Sequence, residues 1–140
     1  MISLISPYDT AFKGHFEIER LPERKFRRIV MDMNPETIDK MSKVLPVIKN
    51  KVEKSLPEED MVKFQLFRSA FFGDNRYQIQ YFPSIKSQNQ GATPKIEENW
   101  PYNIESAVDF VNEIINSVGK KQAIKNFLKE RTNTKLDLLA

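Results

Sequence analysis

The segment 104–118 repeats its apolar residues at steps of three and four, and this pattern constrains the fold more than any other feature of the chain. Such a stripe predicts an amphipathic helix, and the apolar face of that helix must be buried against a core. Asn103 precedes the stripe as an N-cap residue, and Gly119 follows it as a helix-ending residue. The chain therefore needs other elements that can pack on this face.

Alternating runs predict one β-hairpin in the middle of the chain. Apolar and polar residues alternate over 62–66 and again over 77–81, and Gly73, Asp74 and Asn75 separate the two runs. This arrangement favours two strands joined by a turn. The acidic residues 58–60 also resemble a helix start, so a helix over 58–72 stays open as the alternative.

A second hairpin is predicted near the N-terminus. The run 15–21 alternates, the run 26–33 is rich in residues that favour strands, and Pro22 stops the first run. Asn34 and Pro35 then predict the start of a helix that reaches about residue 54, with a kink or break at Pro46.

These elements predict a single α+β domain over residues 1–140. It contains about four antiparallel strands in two hairpins, packed with three to four helices, and 140 residues suffice to bury one core. The segment 83–103 shows no periodicity and is predicted to be a flexible or functional loop, and a separate basic helix is predicted over 120–131.

Composition excludes several kinds of active site. The chain has no cysteine, which removes disulfides, cysteine nucleophiles and cysteine-based zinc sites and favours a cytoplasmic location. A single histidine excludes a multi-histidine metal site, and four scattered glycines exclude a phosphate-binding loop. No apolar run approaches the length of a membrane span. We therefore expect no cofactor, no membrane partner and no enzymatic activity.

Basic residues concentrate in two places. Residues 119–140 carry six basic and two acidic side chains, and a second cluster is predicted to lie at the first hairpin turn. Such clusters can bind phosphates, and they define an alternative function as a nucleic-acid-binding protein. The residues predicted for it are Arg24, Lys25, Arg27, Arg28, Lys121, Lys125 and Lys129.

Aromatic residues define the predicted partner interface. If helices cover one face of the sheet, Phe67, Phe71 and Phe82 remain on the other, and Trp100 lies in the predicted loop. An exposed apolar face indicates a protein partner or a homo-oligomer. A longer aromatic run beside Arg68 and Arg76 is also compatible with a platform that stacks single-stranded bases. It consists of Phe64, Phe67, Phe71, Phe72, Tyr77, Tyr81 and Phe82.

The preferred hypothesis from sequence is a non-catalytic accessory or regulatory protein that docks on a protein or nucleoprotein assembly. A compact chain without catalytic motifs and rich in lysine and asparagine is compatible with a phage or mobile-element origin. The least favoured alternative is a metal-dependent enzyme that uses scattered carboxylates such as Glu17, Glu19 and Asp32.

Overall fold

The computed structural model describes the backbone of residues 14–139 and the side chains of residues 14–120, 123, 124 and 126–130. Four strands and five helices build an α+β domain, as predicted. In chain order they are β1 (Gly14–Ile18), α1 (Glu23–Met31), α2 (Pro35–Ser55), β2 (Asp60–Arg68), β3 (Asn75–Phe82), α3 (Ile85–Asn89), β4 (Lys95–Asn99), a 3₁₀ helix (Pro101–Asn103) and α4 (Glu105–Leu139).

The four strands form one mixed sheet in the order β1-β2-β3-β4. The predicted central hairpin is confirmed, since β2 and β3 are antiparallel with Leu66 opposite Tyr77. The pairing of β3 with β4 is also antiparallel. The prediction of an all-antiparallel sheet is wrong, because β1 runs parallel to β2 with Gly14 opposite Asp60. A parallel pair requires a crossover, and α1 with α2 supplies it.

The core lies on one face of this sheet. Val62, Phe64 and Ile79 project from β2 and β3 and are fully buried. They join one apolar cluster with α2 and with the first half of α4, so the apolar stripe of residues 104–118 is buried as predicted. Polar side chains such as Lys63 and Gln80 alternate with these residues and occupy the other face.

The predicted strand over 26–33 is wrong, because these residues belong to α1 and to the turn after it. Their apolar residues, Phe26, Ile29, Val30 and Met33, are three or four positions apart, which suits a helix. Pro22 acts as the N-cap of α1 rather than as a hairpin turn. The first predicted hairpin therefore does not form, and α1 packs against β2 instead.

The predicted helix after Asn34 is confirmed as α2. The Asn34 side chain accepts a hydrogen bond from the backbone N–H of Glu36 at 2.9 Å, which caps the first turn. Pro46 does not break the helix, since α2 is continuous from Pro35 to Ser55.

The segment 83–103 is not an unstructured loop, because it contains α3, β4 and the 3₁₀ helix. The prediction that Gly119 ends the helix over 104–118 is wrong. Gly119 lies inside α4, where nothing crowds it, and the predicted helix over 120–131 is the continuation of α4. At 1.5 Å per residue, the 35 residues of α4 span about 52 Å.

Candidate functional site

Four aromatic side chains lie exposed around the β2–β3 turn and the end of β4. The exposed fractions are 89% for Phe71, 63% for Phe72, 40% for Trp100 and 54% for Tyr102. Large aromatic side chains at this exposure keep apolar surface in contact with water, which is unfavourable unless another surface covers them. This end of the sheet is therefore a candidate binding surface.

Arg76 joins these rings into a stack. Its guanidinium carbon lies 4.4 Å from the centroid of Phe72 and 5.2 Å from that of Trp100. The ring of Trp100 in turn stacks on Tyr102, with centroids 5.8 Å apart and an interplanar angle of 11°. We call Phe72, Arg76, Trp100 and Tyr102 the aromatic ladder. Phe71 flanks the ladder, and its ring packs edge to face with that of Phe72, with the ring centroids 4.9 Å apart.

Asp74 holds the ladder together by hydrogen bonds to two of its members. One carboxylate oxygen accepts from Arg76 Nε at 3.0 Å and the other accepts from Trp100 Nε1 at 2.9 Å. The Arg76 hydrogen bond, followed by that of Trp100, lowers the pKa of the Asp74 carboxyl below its ordinary value. Glu98 accepts a further hydrogen bond from Arg76 at 3.2 Å. The ladder is thus ordered by its own contacts.

Backbone geometry places both halves of the ladder at the same end of the sheet. Gly73 has a φ of 70°, which glycine adopts without strain, and it closes the turn between β2 and β3. The Ser69 hydroxyl accepts from the N–H of Phe72 at 3.1 Å in the same turn. On β4, Asn99 pairs with Tyr77 near the start of β3, so Trp100 emerges beside the turn.

A buried polar cluster lies at the opposite end of β2 and β3. The Asp60 carboxylate accepts hydrogen bonds from the Tyr81 hydroxyl at 2.6 Å, the Ser84 N–H at 2.8 Å and the Ser87 hydroxyl at 2.7 Å. Burial, followed by the hydrogen bond to Asp60, raises the pKa of Tyr81. All four side chains are buried, so the cluster fixes the corner between β3 and α3 and offers no surface to a ligand.

The structure brings together only part of the predicted partner interface. Phe71 and Trp100 meet at the ladder. Phe67 is partly buried, and it lines a depression with Leu21 and Ile29 at α1. Phe82 is 38% exposed and pairs with Met61 at the far end of the sheet. It is six residues from Arg76 along β3, or about 20 Å.

The aromatic run predicted as a base-stacking platform is divided: Phe71, Phe72 and Phe82 are exposed, and the other four rings are buried or partly buried. Phe64, Tyr77 and Tyr81 are buried in the core, where Phe64 and Tyr77 stack on each other at 5.5 Å. The exposed aromatics that lie next to one another are those of the turn and of the segment after β4. Neither Asp74 nor Tyr102 was singled out from the sequence. The available signal was their position, since Asp74 follows Gly73 and Tyr102 lies two residues after Trp100.

The predicted nucleic-acid-binding residues fall on two different helices. Arg24, Lys25, Arg27 and Arg28 are exposed on α1, not at a hairpin turn. Lys129 is exposed on α4. The side chains of Lys121 and Lys125 lie outside the described residues.

Two of the three carboxylates named for the metal hypothesis, Glu19 and Asp32, have separate partners. Glu19 pairs with Lys63 at 3.7 Å, and Asp32 pairs with Arg68 at 3.0 Å. Within the described part of the chain, no group of three or more histidine, aspartate or glutamate side chains could hold a metal ion.

No protein-family model matches this chain, and neither the curated proteins nor the solved structures contain a significant match. Over residues 14–139, no helix combines the length and the apolar character needed to cross a membrane, even though α4 is long.

Proposed function

We propose that this protein is a non-catalytic accessory or regulatory protein that docks on a protein partner through the aromatic ladder and Phe71. The observation that carries the proposal is the fixed stack of exposed rings around Arg76 and Trp100. We further propose a cytoplasmic location, for which the absence of cysteine is the support.

The composition of the ladder matches the residues that dominate protein–protein binding energies. Tryptophan, tyrosine and arginine are enriched among interface residues whose truncation costs more than about 2 kcal/mol. The ladder combines all three in adjacent positions, at Trp100, Tyr102 and Arg76. Covering these rings would remove apolar surface from water at about 25 cal/mol per Å².

The internal contacts of the ladder favour strong binding, because they reduce the entropy lost on association. Immobilising a flexible side chain costs about 0.5–1.5 kcal/mol. Trp100 is already held by Asp74, and Arg76 is held by both Asp74 and Glu98. A partner would therefore meet side chains that are largely in place.

The charge balance of the ladder favours a protein over a nucleic acid at this surface. The single cation, Arg76, is paired with two carboxylates, Asp74 and Glu98. Phosphate groups would meet these carboxylates, and the ring surface of Trp100 already contacts Arg76 and Tyr102. We therefore expect binding that depends on shape and apolar contact and changes little with salt.

Site-specific photo-crosslinking in cells of the native host tests the proposal. A benzoylphenylalanine replaces Phe71, and the matched control carries it at Phe82, an exposed phenylalanine at the other end of the sheet. We expect one defined crosslinked protein from position 71 and none from position 82. It should persist in 0.5 M salt and disappear when Trp100→Ala is added.

The mass of that product identifies the occupant, and a self-crosslinked dimer would assign the surface to a second copy of the chain. Equal crosslinking from both positions, or a product that survives Trp100→Ala, would show that the ladder is not the docking surface.

A further inference from the structure

Helix α1 presents three arginines on its outward side. At about 100° per residue, Arg24 and Arg27 lie within about 40° of the direction opposite the buried Ile29. Arg28 follows on the side next to Arg24. The three side chains line one shallow depression together with Met31 and two carboxylates, Glu23 and Asp32, of which Asp32 is paired with Arg68. All three are exposed, so the arrangement forms a single cationic face, which we call the arginine face.

The arginine face is held firmly on the domain. Ile29 is only 4% exposed, and its carbonyl oxygen accepts a hydrogen bond from Asn75 Nδ2 at 3.1 Å. At the C-terminal end of α1, Asp32 pairs with Arg68 of β2 at 3.0 Å. These contacts fix the helix from its inner side and leave the outer side available.

Little within the described residues neutralises this face. Helix α1 carries four basic side chains and one acidic side chain, Glu23. Glu23 pairs with Arg27 at 3.0 Å, but both side chains are highly exposed, and such pairs contribute about 0.3–0.5 kcal/mol. Arg24 and Arg28 have no ion pair within the described part of the chain. A phosphate can therefore compete for all three guanidinium groups.

The spacing of the arginines matches the charge density of a nucleic-acid duplex. Arg24 and Arg28 are separated by about 6 Å along the helix axis. A duplex carries one negative charge per roughly 1.7 Å of its axis, or about three to four charges over that length, and a single strand carries about half as many. The planar guanidinium fork also binds phosphate oxygens in pairs, which a lysine cannot do.

We propose that the arginine face of α1 binds the phosphodiester backbone of a nucleic-acid duplex without reading its sequence. This surface shares no residue with the aromatic ladder, and duplex binding there would be a second function beside protein docking. Together the two surfaces would place a protein partner and a duplex on one small domain.

The test measures the affinity of the purified full chain for a fluorescein-labelled 20-base-pair DNA duplex by anisotropy between 0.05 and 0.2 M salt. Each lost phosphate contact reduces the slope of log K against log salt by about 0.9 and the affinity by about eightfold at 0.1 M salt. If the triple variant Arg24→Ala, Arg27→Ala and Arg28→Ala loses two to three phosphate contacts, its affinity should fall by about 60- to 500-fold. Its slope should become less steep by about 2 to 3.

A matched triple variant on α2 controls for net charge. Lys43, Lys49 and Lys54 are exposed, and their replacement by alanine removes the same charge from another surface. We expect this variant to lose less than about fivefold. A conservative triple replacement of the three arginines by lysine should keep the salt slope and weaken binding severalfold. Circular dichroism confirms that each variant is folded.

Three outcomes would overturn the proposal: no duplex binding at 0.05 M salt, equal losses in both alanine variants, or equal competition by single-stranded DNA or by polyglutamate at the same charge concentration. The last outcome would assign the face to polyanions in general, including acidic proteins. Trp100→Ala should leave duplex affinity unchanged, so failure of this proposal does not depend on the aromatic ladder.

Discussion

Replacing Asp60 by alanine removes the acceptor for three buried donors at once. The carboxylate accepts from the Tyr81 hydroxyl, the Ser84 N–H and the Ser87 hydroxyl, and Asp60 itself is fully buried. The Ser84 hydroxyl donates to the Ser87 hydroxyl at 3.1 Å, and rotating both hydroxyls reverses this bond, so that Ser87 can donate to the Ser84 oxygen after the change. The Tyr81 hydroxyl and the Ser84 N–H are left without an acceptor.

The expected loss of stability follows from these two orphaned donors. A buried donor without a partner costs about 1–3 kcal/mol, and hydrogen bonds to a charged group contribute about 1.5–3 kcal/mol each. We expect Asp60→Ala to lower the free energy of unfolding by about 3–5 kcal/mol. For a domain of this size, such a loss lowers the melting temperature by about 10 °C or more.

Asp60→Asn tests whether the hydrogen bonds or the volume of the side chain carries the effect. In the wild-type chain the Ser84 N–H and the Ser87 hydroxyl donate to the same carboxylate oxygen, and the amide oxygen of asparagine can accept both hydrogen bonds. The Tyr81 hydroxyl can rotate and accept a hydrogen bond from the amide N–H. We expect a loss of about 1–2 kcal/mol. Urea unfolding followed by circular dichroism gives both values, with Asp109→Ala on the exposed side of α4 as the control. A loss below about 1 kcal/mol for Asp60→Ala would refute the reasoning.

Two further predictions concern stability. Burial, followed by the charge of Glu97 for Tyr77 and the hydrogen bond to Asp60 for Tyr81, raises the pKa of both tyrosines. The unfolded chain therefore loses these phenolic protons first, and above pH about 10 the free energy of unfolding should fall by up to about 1.4 kcal/mol per pH unit for each tyrosine. Urea unfolding between pH 9 and 12 measures how the free energy of unfolding depends on pH. If Tyr77→Phe leaves that dependence unchanged, the raised pKa of Tyr77 is not its cause. Gly14→Ala would push a Cβ into the Val52 carbonyl oxygen and within 2.9 Å of Leu56 Cβ, so we expect a loss of about 1–3 kcal/mol. Gly119→Ala meets nothing within 4 Å in α4 and should instead stabilise by about 0.5–1 kcal/mol; similar effects at both glycines in urea unfolding would argue against the close contact at Gly14.

Local sequence patterns predicted correctly those elements in which the pattern of apolar residues matches the residues that the fold buries. The stripe of α4, the N-cap at Asn34 and the two alternating runs around Gly73 all correspond to observed structure. The error at α1 arose because Phe26, Ile29 and Val30 also favour strands, and only their spacing indicates a helix. Gly119 did not end α4, because glycine weakens a helix without stopping it. The space around Gly119 is open in the helix.

Features that depend on distant partners could not be read from the sequence. The strand β4 consists of Lys95, Ile96, Glu97, Glu98 and Asn99, which has little strand character, and its pairing with β3 defines it. The aromatic ladder combines Phe72 and Arg76 with Trp100 and Tyr102, which are more than 20 residues away along the chain. Only the pairing of β3 and β4 brings these two segments together.

The parallel pairing of β1 with β2 has a consequence for the order of folding. Residues of the β2–β3 hairpin meet across a short turn, whereas Gly14 and Asp60 are separated by the whole of α1 and α2. Closing that longer loop loses more chain entropy before any contact offsets it. We expect the hairpin and α2 to form the nucleus, with β1 added late as an edge strand. Because β1 is an edge strand, local unfolding can also release it while β2, β3 and β4 stay paired.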